Sequence, residues 1–265
     1  MRTYRARLSS DTCKIHGTRL VERTEGLQCP DCLIEAKESS LRNELSRQIT
    51  EAAHLENHRT LENESIFDDP STRYNSFATF VTTTSEEEQA LESARMVTEE
   101  VKQHFYMNTP PVNVWLVGGA GAGKTHLAMS ILKDVNNSGD KQLRCAFVSV
   151  PKLFSLIKDT FDDASERDRR YYIDLCSTVD VLALDDLVAE GGADGAGQRA
   201  SNFVHQVINE IASARQGKVT ILTTNHSSKS LVDTYDQRIV SRLAKNHRTI
   251  ILKDITDKRL HGLGF

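Results

Sequence analysis

Residues 118–125 read Gly-Gly-Ala-Gly-Ala-Gly-Lys-Thr, the pattern G-x-x-x-x-G-K-S/T. No other stretch constrains the fold as tightly, because such a loop grips phosphate only between a strand and the helix that follows it. Val112-Asn113-Val114-Trp115-Leu116-Val117 reads as a buried strand, and His126-Leu127-Ala128-Met129-Ser130-Ile131-Leu132 reads as a helix opening. Gly118, Gly119, Ala120, Gly121, Ala122 and Gly123 carry almost no side chain, so several backbone N–H groups can turn toward phosphate oxygens. The helix adds its positive N-terminal end. In this pattern Lys124 reaches the β- and γ-phosphates and the Thr125 hydroxyl binds Mg²⁺, with His126 completing the candidate ATP-binding set. The plainer alternative is a glycine-rich turn that only joins strand to helix.

The chain has 265 residues and a net charge of −4, so nucleic acid would have to be met by a local patch rather than by global attraction. No apolar run is long enough to span a bilayer, and no signal-peptide core follows Met1-Arg2-Thr3-Tyr4-Arg5, so a cytoplasmic protein without a membrane partner is expected. Five cysteines, an odd number, argue against a disulfide framework. Cys145 and Cys176 read as small buried hydrophobes.

Cys13, His16, Cys29 and Cys32 form C-x-x-H and C-x-x-C knuckles at a hairpin-sized separation, which suits one structural Zn²⁺. Too few residues lie around them to hold a core unaided, so the metal would supply the missing stability. A chance grouping and a redox Cys-x-x-Cys are the alternatives. Beyond them Leu33, Leu41, Leu45, Ile49, Ala52 and Leu55 recur mostly at intervals of three and four, the thin apolar seam of a helix that meets a partner or serves as a solvated linker. Asp68-Asp69-Pro70 reads as a boundary. The expected organisation is a zinc-binding domain at 1–35, a helical linker or partner-binding helix at 36–65, and an ATPase domain at 66–265.

From Ser85 to Tyr106 one face carries Ala90, Ala94, Val97, Val101 and Phe105; Ser85 with Glu88 forms a capping box, and Pro110-Pro111 ends the helix. Strand candidates follow at 112–117, 144–150, 179–184, 218–223 and 249–252, with helices at 124–136, 151–161, 166–177, 200–215 and 235–245. This alternation predicts an α/β fold, a parallel sheet with helices on both faces. Val181-Leu182-Ala183-Leu184 is a buried strand that delivers Asp185 and Asp186 to its carboxyl edge, where ligands of such sheets sit. Asp185 is the natural Mg²⁺ partner, and Asp186 is placed to orient or activate water. Asn225, closing Val219-Thr220-Ile221-Leu222-Thr223-Thr224, can hold that water or the γ-phosphate. Arg238 and Arg242 share a helix face, either as surface residues or as an arginine finger offered to a neighbouring subunit's ATP.

Taken in this order, Gly118 to Thr125, Leu184-Asp185-Asp186-Leu187, Thr223-Thr224-Asn225 and Arg238 to Leu243 resemble the AAA+ ATPases, and more narrowly the bacterial DnaC/DnaI-type replicative-helicase loaders and the related IstB-type transposition helpers. Lys158-Asp159-Thr160-Phe161 also resembles the loaders, and the likeness covers roughly residues 66–255. The resemblance implies a P-loop AAA+ core, Asn225 as the first sensor, and Arg242 rather than Arg238 as the finger. Asp186 stands where AAA+ proteins commonly carry Glu, which implies slow hydrolysis. The residues after the last strand, Ile255 to Phe265, are too few for a full lid domain, leaving Arg259 a weak candidate for the second sensor. The zinc cluster is similar in role to the N-terminal domain of some loaders.

The DNA candidates are Lys158, Phe161 (a stacking residue or a core Phe) and Arg248 within the basic tail from Arg238 onward; the loop at 191–197 reads as a segment that folds over DNA or a partner, or as simple linker. The expected activity is ATP-dependent loading of a hexameric replicative helicase onto single-stranded DNA, with self-association through ATP and the finger. The alternatives are an IstB-like transposition helper and a nucleotide-sensing DNA-binding adaptor without turnover.

Overall fold

A computed structural model describes residues 7–138, 143–160, 168–187 and 202–252, which fall into two compact units, 1–55 and 56–265. In the first unit β1 (Arg7–Thr12), β2 (Arg19–Arg23) and β3 (Gly26–Gln28) form an antiparallel sheet in that order. Among its described residues Cys29 is the sole buried apolar one. Helix α1 (Pro30–Asn63) follows. Its seam residues Leu41, Leu45, Ile49 and Leu55 are exposed.

In the second unit five parallel strands lie in the order β5 (Cys145–Ser149), β6 (Val181–Asp185), β7 (Val219–Thr224), β4 (Asn113–Gly118), β8 (His247–Leu252). Successive side chains of a strand point to opposite faces. Val114, Leu116, Val181 and Ala183 therefore join one core layer with α2 (Ser85–Met107) and α3 (Lys124–Asn136). Trp115, Leu182 and Leu184 join the other, with α4 (Val150–Asp159), α5 (Arg169–Thr178), α6 (Asn202–Ala214), α7 (Ser228–Tyr235) and α8 (Gln237–Leu243). The parallel sheet with helices on both faces is as the alternation predicts. No described helix is long and apolar enough to cross a membrane.

Four expectations need correction. The capping box of α2 is Thr84 with Glu87, one residue before the Ser85–Glu88 pair, and Ser85 is the first helical residue. That helix ends at Asn108, whose left-handed backbone (φ 54°) breaks it before Pro110. The single helix expected at 235–245 is two, α7 and α8, parted at Asp236 with φ 80°. The boundary at Asp68-Asp69-Pro70 lies inside the second unit. Ile66 bridges to Val148 beyond the β5 edge, Phe67 stacks on Phe147 at 5.3 Å, and Asp69 caps a short 3-10 helix, Pro70–Tyr74. Phe161, Arg259 and the loop at 191–197 lie outside the described residues.

Candidate nucleotide and metal sites

The phosphate loop leaves β4 at Gly118 and enters α3 at Gly123. Two glycines are needed for different reasons. A Cβ at Gly118 would stand 2.5 Å from the carbonyl oxygen of Leu252 on β8. Gly123 has φ 92°, and a Cβ there would meet the Phe80 ring at 2.8 Å. Gly123 also caps α3 without a side-chain hydrogen bond, so the first-turn N–H groups keep their full pull on an anion. The Lys124 ammonium is buried and donates to the carbonyls of Gly118 (3.0 Å) and Gly119 (2.7 Å) and to Asn225 Oδ1.

Three adjacent strands bring the acidic and amide groups to the same end of the sheet. Asp185 ends β6, and Asn225 follows β7 directly. Asp185 Oδ1 accepts from the Thr223 hydroxyl (2.7 Å), and its Oδ2 accepts from the Thr125 hydroxyl (3.2 Å). Burial pushes the Asp185 carboxyl up to about 6, against the pull of these hydroxyls and of Lys124. Thr223 Oγ1 also accepts from the backbone N–H of Asp186 (2.7 Å), so one hydroxyl fixes both acids. Asp186 itself turns out of the strand with φ 59°. A cleft of about 650 Å³ is lined by Lys124, Thr125, His126, Asp185, Asp186 and Asn225, and by Asp69, Asn75, Thr79, Phe80 and Val81 from the segment before α2. His126 Nε2 meets the Ser76 carbonyl (2.9 Å) and the Thr79 hydroxyl (3.1 Å), and its ring lies edge-on to Phe80 at 5.2 Å.

The arginines lie elsewhere. Neither Arg238 nor Arg242 lines this cleft. Arg238 is exposed on α8, and Arg242 Nη1 donates to Asn209 Oδ1 (2.8 Å) and Ser213 Oγ (2.7 Å) on α6. Arg248 is paired with Glu100 on α2 at 2.9 Å. Lys158 is exposed at the end of α4. Sequence reasoning missed Thr223 as the clamp on both acids, and it missed the wall formed by Asn75 to Val81. That wall, Asn75-Ser76-Phe77-Ala78-Thr79-Phe80-Val81, matches no phosphate-binding pattern and carries neither helical nor strand periodicity, so no local signal marks it.

In the first unit Cys13 Sγ, His16 Nδ1, Cys29 Sγ and Cys32 Sγ all lie within 4.8 Å of one another. Nδ1 stands 3.8, 3.6 and 3.4 Å from the three sulfurs, and Cys13 Sγ is 3.7 Å from Cys32 Sγ. Zn–S and Zn–N bonds of about 2.3 and 2.0 Å at tetrahedral angles give ligand separations of about 3.5–3.8 Å. The donor set therefore fits zinc, in a unit that buries almost nothing else. His16 Nε2 meets Glu35 Oε1 at 3.0 Å, which turns Nδ1 toward the sulfurs. Without metal, backbone N–H groups of His16 and Ile15 lower the Cys13 thiol to about 6, and the hydrogen bond that protonated His16 donates to the Cys13 sulfur raises its imidazole to about 9. All five cysteines are free; Cys145 and Cys176 are buried, and desolvation pushes both thiols up.

Comparison with known proteins agrees with this architecture. No curated protein matches the chain by sequence. Among solved structures, DnaI is similar at 21% identity and a TM-score of 0.53, over 71% of this chain and 95% of that one. A protein assigned as a primosome component of Streptococcus pyogenes serotype M3 is similar at 19% identity and 0.52, over 74% and 93%. The replication initiator DnaA bound to AMPPCP and single-stranded DNA is similar at 17% identity and 0.50, over 71% of this chain and 50% of that one, so the chain spans about half of DnaA. These likenesses show that the chain shares its fold with DnaI. The family profile of the bacterial DnaA ATPase domain matches residues 71–249, which is more than half of the sequence, and the chain belongs to that family.

Proposed function

We propose that the protein is an ATP-dependent loader that places a hexameric replicative helicase on single-stranded DNA. The observation that carries the nucleotide half of this reading is the convergence of Lys124, Thr125, Asp185 and Asn225 from three neighbouring strand ends. Lys124 exchanges loop carbonyls for β- and γ-phosphate oxygens. Thr125 and Asp185 hold Mg²⁺, which offsets phosphate charge when bound. Asp186 and Asn225 orient the water that attacks the γ-phosphorus, and the bond to the β–γ bridging oxygen breaks to give ADP and phosphate. Arg242 of one subunit completes the site of the next, so that γ-phosphate holds the assembly and hydrolysis releases it.

The loader half is supported by the likeness to DnaI and to a primosome component, and by the exposed seam of α1 beside a zinc-type knuckle. That knuckle and the first half of α1 are the proposed helicase contact. The test is a pull-down of replicative helicase by the full chain, with ATP or ADP. Retention that needs ATP and is lost when Leu41 and Leu45 become Ser supports the loader. Retention of a transposase instead supports the IstB-like helper. ATP binding without turnover, with or without DNA and helicase, supports the adaptor.

A further inference from the structure

Helix α6 presents Asn209 and Ser213, one turn apart, to a single nitrogen of Arg242. The Ser213 hydroxyl donates to the Asn209 carbonyl (2.5 Å), so its oxygen accepts from the guanidinium. Both hydrogens of Nη1 are thereby used. Among the described residues the N–H groups on Nε and Nη2 have no partner, and they form the flat side edge of the guanidinium that grips two phosphate oxygens at once. The helix that carries the clamp is itself fixed. Glu210 takes both carboxylate oxygens to Arg169 Nη2 at 2.9 Å, and Val204, Val207, Ile208 and Ile211 are fully buried. Helix α8 is fixed as well, by Ile239 and Leu243 in the core and by the Trp115 indole N–H on the Leu243 carbonyl (3.1 Å).

From this geometry we infer that Asn209 and Ser213 are positioning residues for the arginine finger. They hold Arg242 by its inner nitrogen and leave the outer edge directed at a neighbouring subunit's γ-phosphate. A free arginine side chain loses considerable rotamer entropy when it is ordered; one already tethered loses less at the moment of assembly. The inference rests on the finger role proposed for Arg242, and the experiment separates the two.

Turnover at saturating ATP and single-stranded DNA is measured for Asn209→Ala/Ser213→Ala, Ser213→Ala alone, Ser213→Thr and Arg242→Ala. The double variant should lose about 10- to 100-fold in turnover, the scale of a misplaced catalytic group, with unchanged ATP affinity and an unchanged melting curve. Ser213→Thr, which keeps the hydroxyl, should retain the parent rate, and Ser213→Ala should fall between. Mixing the double variant with excess Lys124→Ala subunits, whose Arg242 is intact, should restore turnover at the double variant's own sites. Parent-like turnover in the double variant, alongside a large loss in Arg242→Ala, overturns the inference and leaves the finger reading standing. Persistence of the defect after mixing also overturns it. Full turnover in Arg242→Ala overturns both.

Discussion

Lys124 and Arg215 are both cations buried in the second unit, 7% and 3% exposed, and both donate to backbone carbonyls. Their surroundings differ. Arg215 is saturated: Nε donates to Thr220 Oγ1, Nη1 to the carbonyls of Cys176 and Val179, and Nη2 to those of Asp180 and Val219. It welds the end of α5 to the start of β7, far along the strand from the phosphate loop. Desolvation lowers its pKa only to about 10, so it keeps its charge. Lys124 instead takes carbonyls of a bare glycine loop and one amide oxygen, groups that an anion can displace. A buried cation with permanent partners stabilises; one with exchangeable partners awaits a ligand.

The contrast is tested most severely at Lys124. Lys124→Ala should cut ATP turnover by about 10²–10³-fold, the usual cost of a lost charge-stabilising donor, with little change in the melting temperature. Arg215→Met should do the reverse. It strands several buried acceptors and should cost about 3–5 kcal/mol in urea unfolding, while the remaining folded protein binds ATP with parent affinity. A parent-like midpoint for Arg215→Met would break the distinction.

Asp185 sharpens it from the acid side. Its carboxyl has a pKa near 3.8 when unfolded and about 6 when folded, so the folded state binds the extra proton. That contribution is present below pH 4 and is lost as pH rises through 6. Above pH 6 the nucleotide-free protein carries a penalty of about 2–3 kcal/mol. Asp185→Asn should therefore be more stable than the parent at pH 7.5, converge with it near pH 4, and lose hydrolysis. The smallest effect carries the idea into the other unit. Glu35→Ala removes the partner that orients His16 and should weaken zinc about 10- to 100-fold in a chelator competition.

The phosphate loop, Asp185 and the strand order along the chain were legible because each is written in consecutive residues: a glycine loop, an apolar run, a polar terminus. What escaped was set by distant partners. Phe67 and Phe80 carry no local sign of a role until Phe147 and Gly123 meet them, 80 and 43 positions later. Thr223 carries no local sign that its hydroxyl serves two acids on the next strand. The break at Asp236 has neither glycine nor proline to announce it. The capping box could be read in two registers because Thr84 and Ser85 both precede a glutamate by three residues, and the short contacts of Glu87 with Thr83 and Thr84 select the first.

The turn at Asp186 sets a boundary on how this ATPase can change. At φ 59° its backbone occupies a region where aspartate and asparagine are at home and longer side chains are not. Under the water-orienting role proposed for Asp186, lengthening the acid to glutamate would extend its reach at a conformational cost of about 1 kcal/mol, which would tie rate and backbone shape at one position. A variant that gained reach there would meet that cost at the exit from the strand.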